Sequence, residues 1–250
     1  MGQPVFLNIK TVIGLGTSVA GTHYAHEDPF GVEDVARAKR AWGLNPAESH
    51  QIGEDVYQYW SEVPKRGAFY KRQWEDLLSQ YDHKHPDLAK ELAGRVAGRF
   101  DPGWKRELAD YTPAREYSNM LQASAAVHSC LWPKIPLFSG SADLLAVSGV
   151  TKSGVESFGS RNTETLKANF SATYIHYGVR EHGMMAVANG IAAYAKCAFL
   201  PVTSTFSAFQ LYGAAALRMS ALCDLQVVHI GTHDSIEEGV CGPSHQVRIE

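Results

Sequence analysis

The chain has 250 residues, with 23 lysines and arginines against 26 aspartates and glutamates and a formal net charge of −3. That length allows one large or two small domains with buried cores, and the near-even charge gives neither the basic stripe of a nucleic-acid binder nor the acidic block of a disordered tail. No apolar run nears the roughly 20 residues of a membrane helix and MGQPVFLNIK lacks the long apolar core of a secretory signal, so the expected setting is cytoplasmic, with no membrane or nucleic-acid partner.

The run PVFLNIKTVIG, rich in β-branched residues and closed by glycine, reads as a strand buried on both faces of a parallel sheet. Between Gly31 and Phe100 the pattern turns helical. VEDVARAKRAW has acidic residues in its first turn, AFYKRQWEDLLSQY repeats apolar positions at helical spacing, and HPDLAKELAGRV places proline in a first turn. These amphipathic helices need another surface to cover them. FDPGWKRELADYTP reads as an exposed connection, so residues 1–100 are expected to form one part, 101–113 a linker and 114–250 a second domain.

After the linker, helices alternate with short apolar runs. The expected order is a helix from Arg115 to Val127, a strand and loop in IPLFSGSADL, a helix from Glu181 to Ala195, a strand in CAFLPVTS, a helix from Ser207 to Ala221 and a strand in LQVVHIGTH. This rhythm predicts an α/β fold, a parallel sheet with flanking helices joined by right-handed crossovers. Ligands of such sheets bind at the carboxyl ends of the strands. Cys130, Cys197, Cys223 and Cys241 are widely spaced without a CxxC pair and suggest neither zinc nor a disulfide framework.

Three clusters carry candidate chemistry. YGVREHGM places Arg180, Glu181 and His182 directly before an apolar helical run, where a carboxylate is commonly just a partner for the helix dipole. TFSAFQLYGAAALRMSAL spaces Phe206, Phe209 and Tyr212 three residues apart, a stripe that most often means core packing. GTHDSIEEGVCGPSHQ adds His233 and His245 on a glycine-rich loop after an apolar strand.

Taken in order, GSADL, YGVREHGM, TFSAFQLYGAAALRMSAL, THDSI and GPSHQ resemble the pyrimidine-binding domain of transketolases, thiamine-diphosphate enzymes that move two-carbon ketol units between sugar phosphates. IKTVIGLGTSVAGTHYAHEDPF and RAWGLNP resemble the segment closing that family's diphosphate-binding domain. The resemblance implies that 1–100 is the C-terminal, mostly helical remnant of a truncated diphosphate-binding domain and that 114–250 is a pyrimidine-binding domain truncated at its C-terminal end. It also implies residue roles. Glu181 would hydrogen-bond the aminopyrimidine ring and serve catalysis from a site away from water; Phe206, Phe209 and Tyr212 would cradle that ring, and Asp143 would lie near the cofactor and a dimer contact. Arg115 would grip the sugar phosphate, while His23, His233 and His245 would bind substrate, the last two also in catalysis; His182 would be structural.

The same resemblance implies thiamine diphosphate with Mg2+ or Ca2+ whose ligands are absent from this chain, since the family's glycine-aspartate-glycine motif is missing. It implies a homodimer, or pairing with a longer transketolase chain, and a segment that is incomplete and inactive alone. Cys241 stands where the family has an aspartate that senses a substrate hydroxyl. Two other readings stay open: a non-catalytic module binding a full-length transketolase subunit, and a dihydroxyacetone-synthase-like enzyme, peroxisomal, that uses formaldehyde as acceptor.

Overall fold

The computed structural model describes residues 5–100, 102–108, 119–142, 144, 148–150, 154–160, 162, 167–234 and 242–247. The chain divides into two compact units, Met1–Leu77 and Leu78–Glu250. In the first, α1 (Tyr24–Glu27) and α2 (Val32–Ala41) precede α3 (Glu54–Lys84), which runs on into the second. Glu33 and Asp34 open α2 and Lys39 and Arg40 close it, each favourable with the helix dipole. Asp34 also accepts bonds from the Ser18 N–H at 2.7 Å and hydroxyl at 2.8 Å, tying the preceding loop to the helix.

The strand expected in PVFLNIKTVIG does not form among the described residues: residues 5–12 carry no regular structure and Phe6 is 90% exposed. A parallel strand exists only through ladder bonds to neighbours, and the six-stranded sheet is built wholly from later residues. The amphipathic helices form as expected, but α3 buries no residue, leaving Trp60, Tyr70 and Trp74 more than half exposed.

In the second unit α4 (Pro86–Val96) and α5 (Met120–Leu131) precede a parallel sheet of β1 (Leu137–Ser141), β2 (Ser157–Phe158), β3 (Ala168–Asn169), β4 (Tyr174–His176), β5 (Leu200–Phe206) and β6 (Val228–Thr232). The order is β3-β2-β4-β1-β5-β6, with α6 (Glu181–Tyr194) joining β4 to β5 and α7 (Ala214–Leu222) leading to β6. Sequence reading missed β2, β3 and β4, whose two or three residues are too few to show a period. Asn119 caps α5 by accepting from the Gln122 N–H at 3.0 Å.

The amino half of the sheet is apolar, with Ile135, Leu137, Val150, Tyr174 and Val202 in one buried cluster. Toward the carboxyl ends the sheet is polar: Ser141, Thr203, Ser204, Thr205 and Thr232 are all buried, as is Ser139, level with Tyr174 and Val202. Buried hydroxyls persist when bonded. His128 Nε2 meets Ser139 Oγ at 2.7 Å, Ser204 Oγ donates to the Ser148 carbonyl at 2.6 Å, and His229 bridges Thr203 Oγ1 at 2.7 Å and Ser220 Oγ at 3.1 Å.

Burial pushes His128 down from 6.5 to about 4, and holds His176 and His229 below the ordinary histidine range. As pH falls through 6.5 the unfolded chain takes up these protons and the folded chain does not, so stability is full above that pH and declines toward about 4. His128 alone is expected to remove about 2 kcal/mol between about pH 7.5 and 5. Urea unfolding at the two pH values checks this, and His128→Gln should flatten the difference.

Candidate active site

Because every strand is parallel, the ends of β4, β1, β5 and β6 open on one side. From β1 the chain turns toward β2 on one side and from the neighbouring β5 toward β6 on the other, so the connections after these two strands diverge, the kind of switch point at which such sheets bind ligands.

Glu181 is the first residue of α6 and only 6% exposed. The turn before it is closed by the Arg180 guanidinium, which donates to the Tyr177 carbonyl at 2.7 Å, and Met184 N–H then donates to the Arg180 carbonyl at 2.8 Å to start the helix. Met184 and Met185, fully buried with Ala142 and Ala216, fix the helix against the sheet. The carboxyl-bearing residue thus sits, largely buried, at the positive end of a helix dipole.

The expected helix after Ser207 begins as a 3-10 helix, Ser207–Gly213, before becoming α7. Three residues per turn put side chains at i and i+3 in line, where an α-helix would offset them. Phe206, Phe209 and Tyr212 therefore form a ladder: the first two rings are parallel with centroids 5.7 Å apart, and the next pair lies at 5.8 Å with a 29° tilt. The two phenylalanines are half-buried and Tyr212 is exposed. Gly213 ends the 3-10 helix against α6; a Cβ there would lie 3.4 Å from the Glu181 carbonyl oxygen and 2.3 Å from Met185 Sδ. The helix start that bears Glu181 and the 3-10 helix that bears the ladder thus pack together at Gly213.

His233 follows β6 with φ +54°, a left-handed conformation that costs a non-glycine residue about 1 kcal/mol or more. Its ring stacks on Phe206 at 3.9 Å, and its Nδ1 meets Thr232 Oγ1 at 2.9 Å. His245 stands edge-on to Phe206 at 5.5 Å and to Phe209 at 5.0 Å. The structure thus brings five predicted rings together. His23 belongs to the other compact unit, exposed and beside Tyr24, and His182 is exposed on α6. Arg115, Asp143 and Cys241 lie outside the described residues.

Two groups at this corner escaped sequence reading as individuals. The Tyr177 ring lies over Gly140 of β1, where a Cβ would come within 2.3 Å of it, and burial pushes its hydroxyl up to about 12. A glycine inside a strand is the available signal for such an approach. His176 ends β4 with a buried Nε2 that has no hydrogen-bond partner among the described residues, and no pattern in the sequence marks it. Among those residues no group of three or more histidine, cysteine, aspartate or glutamate side chains converges to hold a metal ion. A flat heteroaromatic ring with a basic nitrogen fits what is present: half-buried ring faces to lie against and one buried carboxyl group to share a proton.

Residues 1–101 match the family domain described as "Transketolase, thiamine diphosphate binding domain", and residues 118–248 match "Transketolase, pyrimidine binding domain". The chain is 36% identical over 247 residues to the dihydroxyacetone synthase of Candida boidinii, covering 98% of this chain and 35% of that one. It is 35% identical over 246 residues to transketolase 1 of Saccharomyces cerevisiae, covering 98% and 36%. A crystal structure of transketolase from Pichia stipitis in complex with sedoheptulose 7-phosphate superposes with a TM-score of 0.78 at 36% identity, over 96% of this chain and 35% of the other. The chain therefore spans about 35% of the length of the relatives it matches.

Proposed function

Since the chain belongs to the transketolase family, we propose that it supplies the pyrimidine-binding face of a thiamine-diphosphate site in an enzyme that transfers a two-carbon ketol unit from a ketose phosphate to an aldose. The observation that carries this reading is Glu181, buried at the start of α6, whose backbone carbonyl oxygen lies against Gly213 at the end of the 3-10 helix that carries Phe209 and Tyr212 of the ladder. Bound there, thiamine diphosphate would act as the electron sink for carbon–carbon cleavage.

The chain's own residues divide the remaining work. Glu181 holds a proton at a ring nitrogen of the aminopyrimidine, where exclusion of water strengthens the bond. Phe206 and Phe209 orient the ring and keep water from its face. His233 and His245, beside the same rings, meet the ketose or its phosphate, with His23 and Arg115 as further substrate contacts and Asp143 near the cofactor. The cofactor's diphosphate is bound with magnesium or calcium, and the site is completed in a homodimer or with a longer transketolase chain. The setting is cytoplasmic. The likeness to dihydroxyacetone synthases favours a second reading, with formaldehyde as acceptor in a peroxisome.

Exchanging this chain for the matched third of the Pichia stipitis transketolase tests the proposal. The chimaera is expected to bind thiamine diphosphate and to turn over xylulose 5-phosphate with ribose 5-phosphate; a folded chimaera that binds none refutes it. In that protein Phe209→Ala should raise the Kd for thiamine diphosphate about tenfold, the loss of one stacked ring and its apolar burial, as read by fluorescence titration.

A further inference from the structure

At the amino edge of the same sheet, opposite the corner that holds Glu181, lies a cleft of about 870 Å³ between α4 and the turn that enters β1. Its making is local. Gly98, at φ +69°, ends α4, and Arg99 N–H donates to the Gly94 carbonyl at 2.9 Å, which folds Arg99 and Phe100 back over the last helical turn. Across from them, Lys134 N–H donates to the Leu131 carbonyl at 2.9 Å and holds the Pro133–Pro136 turn against the end of α5.

The lining includes four cations, Lys90, Arg95, Arg99 and Lys134, against two carboxylates, Asp87 and Glu91, a local charge of +2 on a chain whose net charge is −3. Glu91 is committed to Arg95 through an i, i+4 ion pair. Lys90 and Arg99 take part in no ion pair among the described residues. The floor is apolar, with Phe100 packed against the buried core cluster. A smaller cavity of about 180 Å³ shares Arg95, Lys134 and Pro136 and extends to Trp132 and Phe199, which gives the cationic cleft an aromatic annex.

We propose that this cleft is a binding site for a small organic phosphate, its phosphate group held by Lys90 and Arg99 and its flat apolar part laid toward Trp132. Guanidinium and ammonium groups without an intramolecular partner gain most from a phosphate dianion. The volume lies in the range of small-molecule sites. The position, at the strand ends remote from Glu181, makes it independent of the proposed cofactor site.

The test is titration calorimetry of the full chain with phenyl phosphate and with inorganic phosphate. Phenyl phosphate is expected to bind saturably, about tenfold tighter than inorganic phosphate, and severalfold more weakly when salt is raised from about 50 to 200 mM. Lys90→Glu with Arg99→Glu, both exposed positions, should weaken binding at least tenfold, whereas Glu181→Gln should leave it unchanged. The single Lys90→Gln, expected to lose about fivefold, decides the matter should the double variant not fold. The proposal is overturned by the absence of saturable binding, by equal affinity for the two probes, or by Lys90 variants that bind as the unaltered chain does.

Discussion

Glu181→Gln, made in the chimaeric enzyme, is expected to lower kcat for two-carbon transfer by about a hundredfold or more, the range for loss of a positioned proton-transfer group. Glutamine keeps the shape and hydrogen-bonding reach of glutamate but cannot exchange a proton with a ring nitrogen. The thiamine diphosphate Kd should move less than tenfold, because Phe206 and Phe209 still hold the ring. Residue 181 as a whole is only 6% exposed, so the substitution changes a group held in place by the packing around the start of α6. Steady-state kinetics with a cofactor titration separates the two effects, and a variant retaining more than half of kcat would remove Glu181 from the chemistry.

Gly140→Ala is expected to destabilise the second unit by about 3 kcal/mol, a large overpacking penalty. The added Cβ would lie 2.3 Å from Tyr177 Cε2 and 2.6 Å from the Ile175 carbonyl oxygen. The ring could rotate away, but the carbonyl belongs to β4, paired with β1 at this position, so relief requires the two strands to part. A fall in thermal midpoint of about 6–12 °C follows from that energy in a domain of this size. Differential scanning calorimetry reads it, and Tyr177→Ala combined with Gly140→Ala should recover little, since the backbone clash stays.

Most of the second unit was legible in the sequence because each long element carries its own period: α6 forms within one residue of the expected span, and β5 begins three residues later and ends two later than the run CAFLPVTS. The burial of Glu181 at a helix start that packs against the segment carrying the aromatic stripe had no single signal in the sequence, since each motif alone has a bland explanation. The N-terminal strand failed for a physical reason: a β-branched run states a preference, and the ladder that would realise it comes from other residues. Nothing in a list of side chains distinguishes three residues per turn from 3.6, so the stripe was foreseen on an α-helix. The His229 bridge between Thr203 and Ser220 joins residues from β5, β6 and α7 and has no local signal at all.

The three-fold winding of Ser207–Gly213 has a further consequence. Rewound as an α-helix, six residues would carry Tyr212 about 120° around the axis from Phe206, so the rings would fan apart while the hydrophobic content stayed the same. The aromatic column is thus a gauge of helical pitch, sensitive to a single residue added or removed in that segment even where the surrounding sheet would absorb the change.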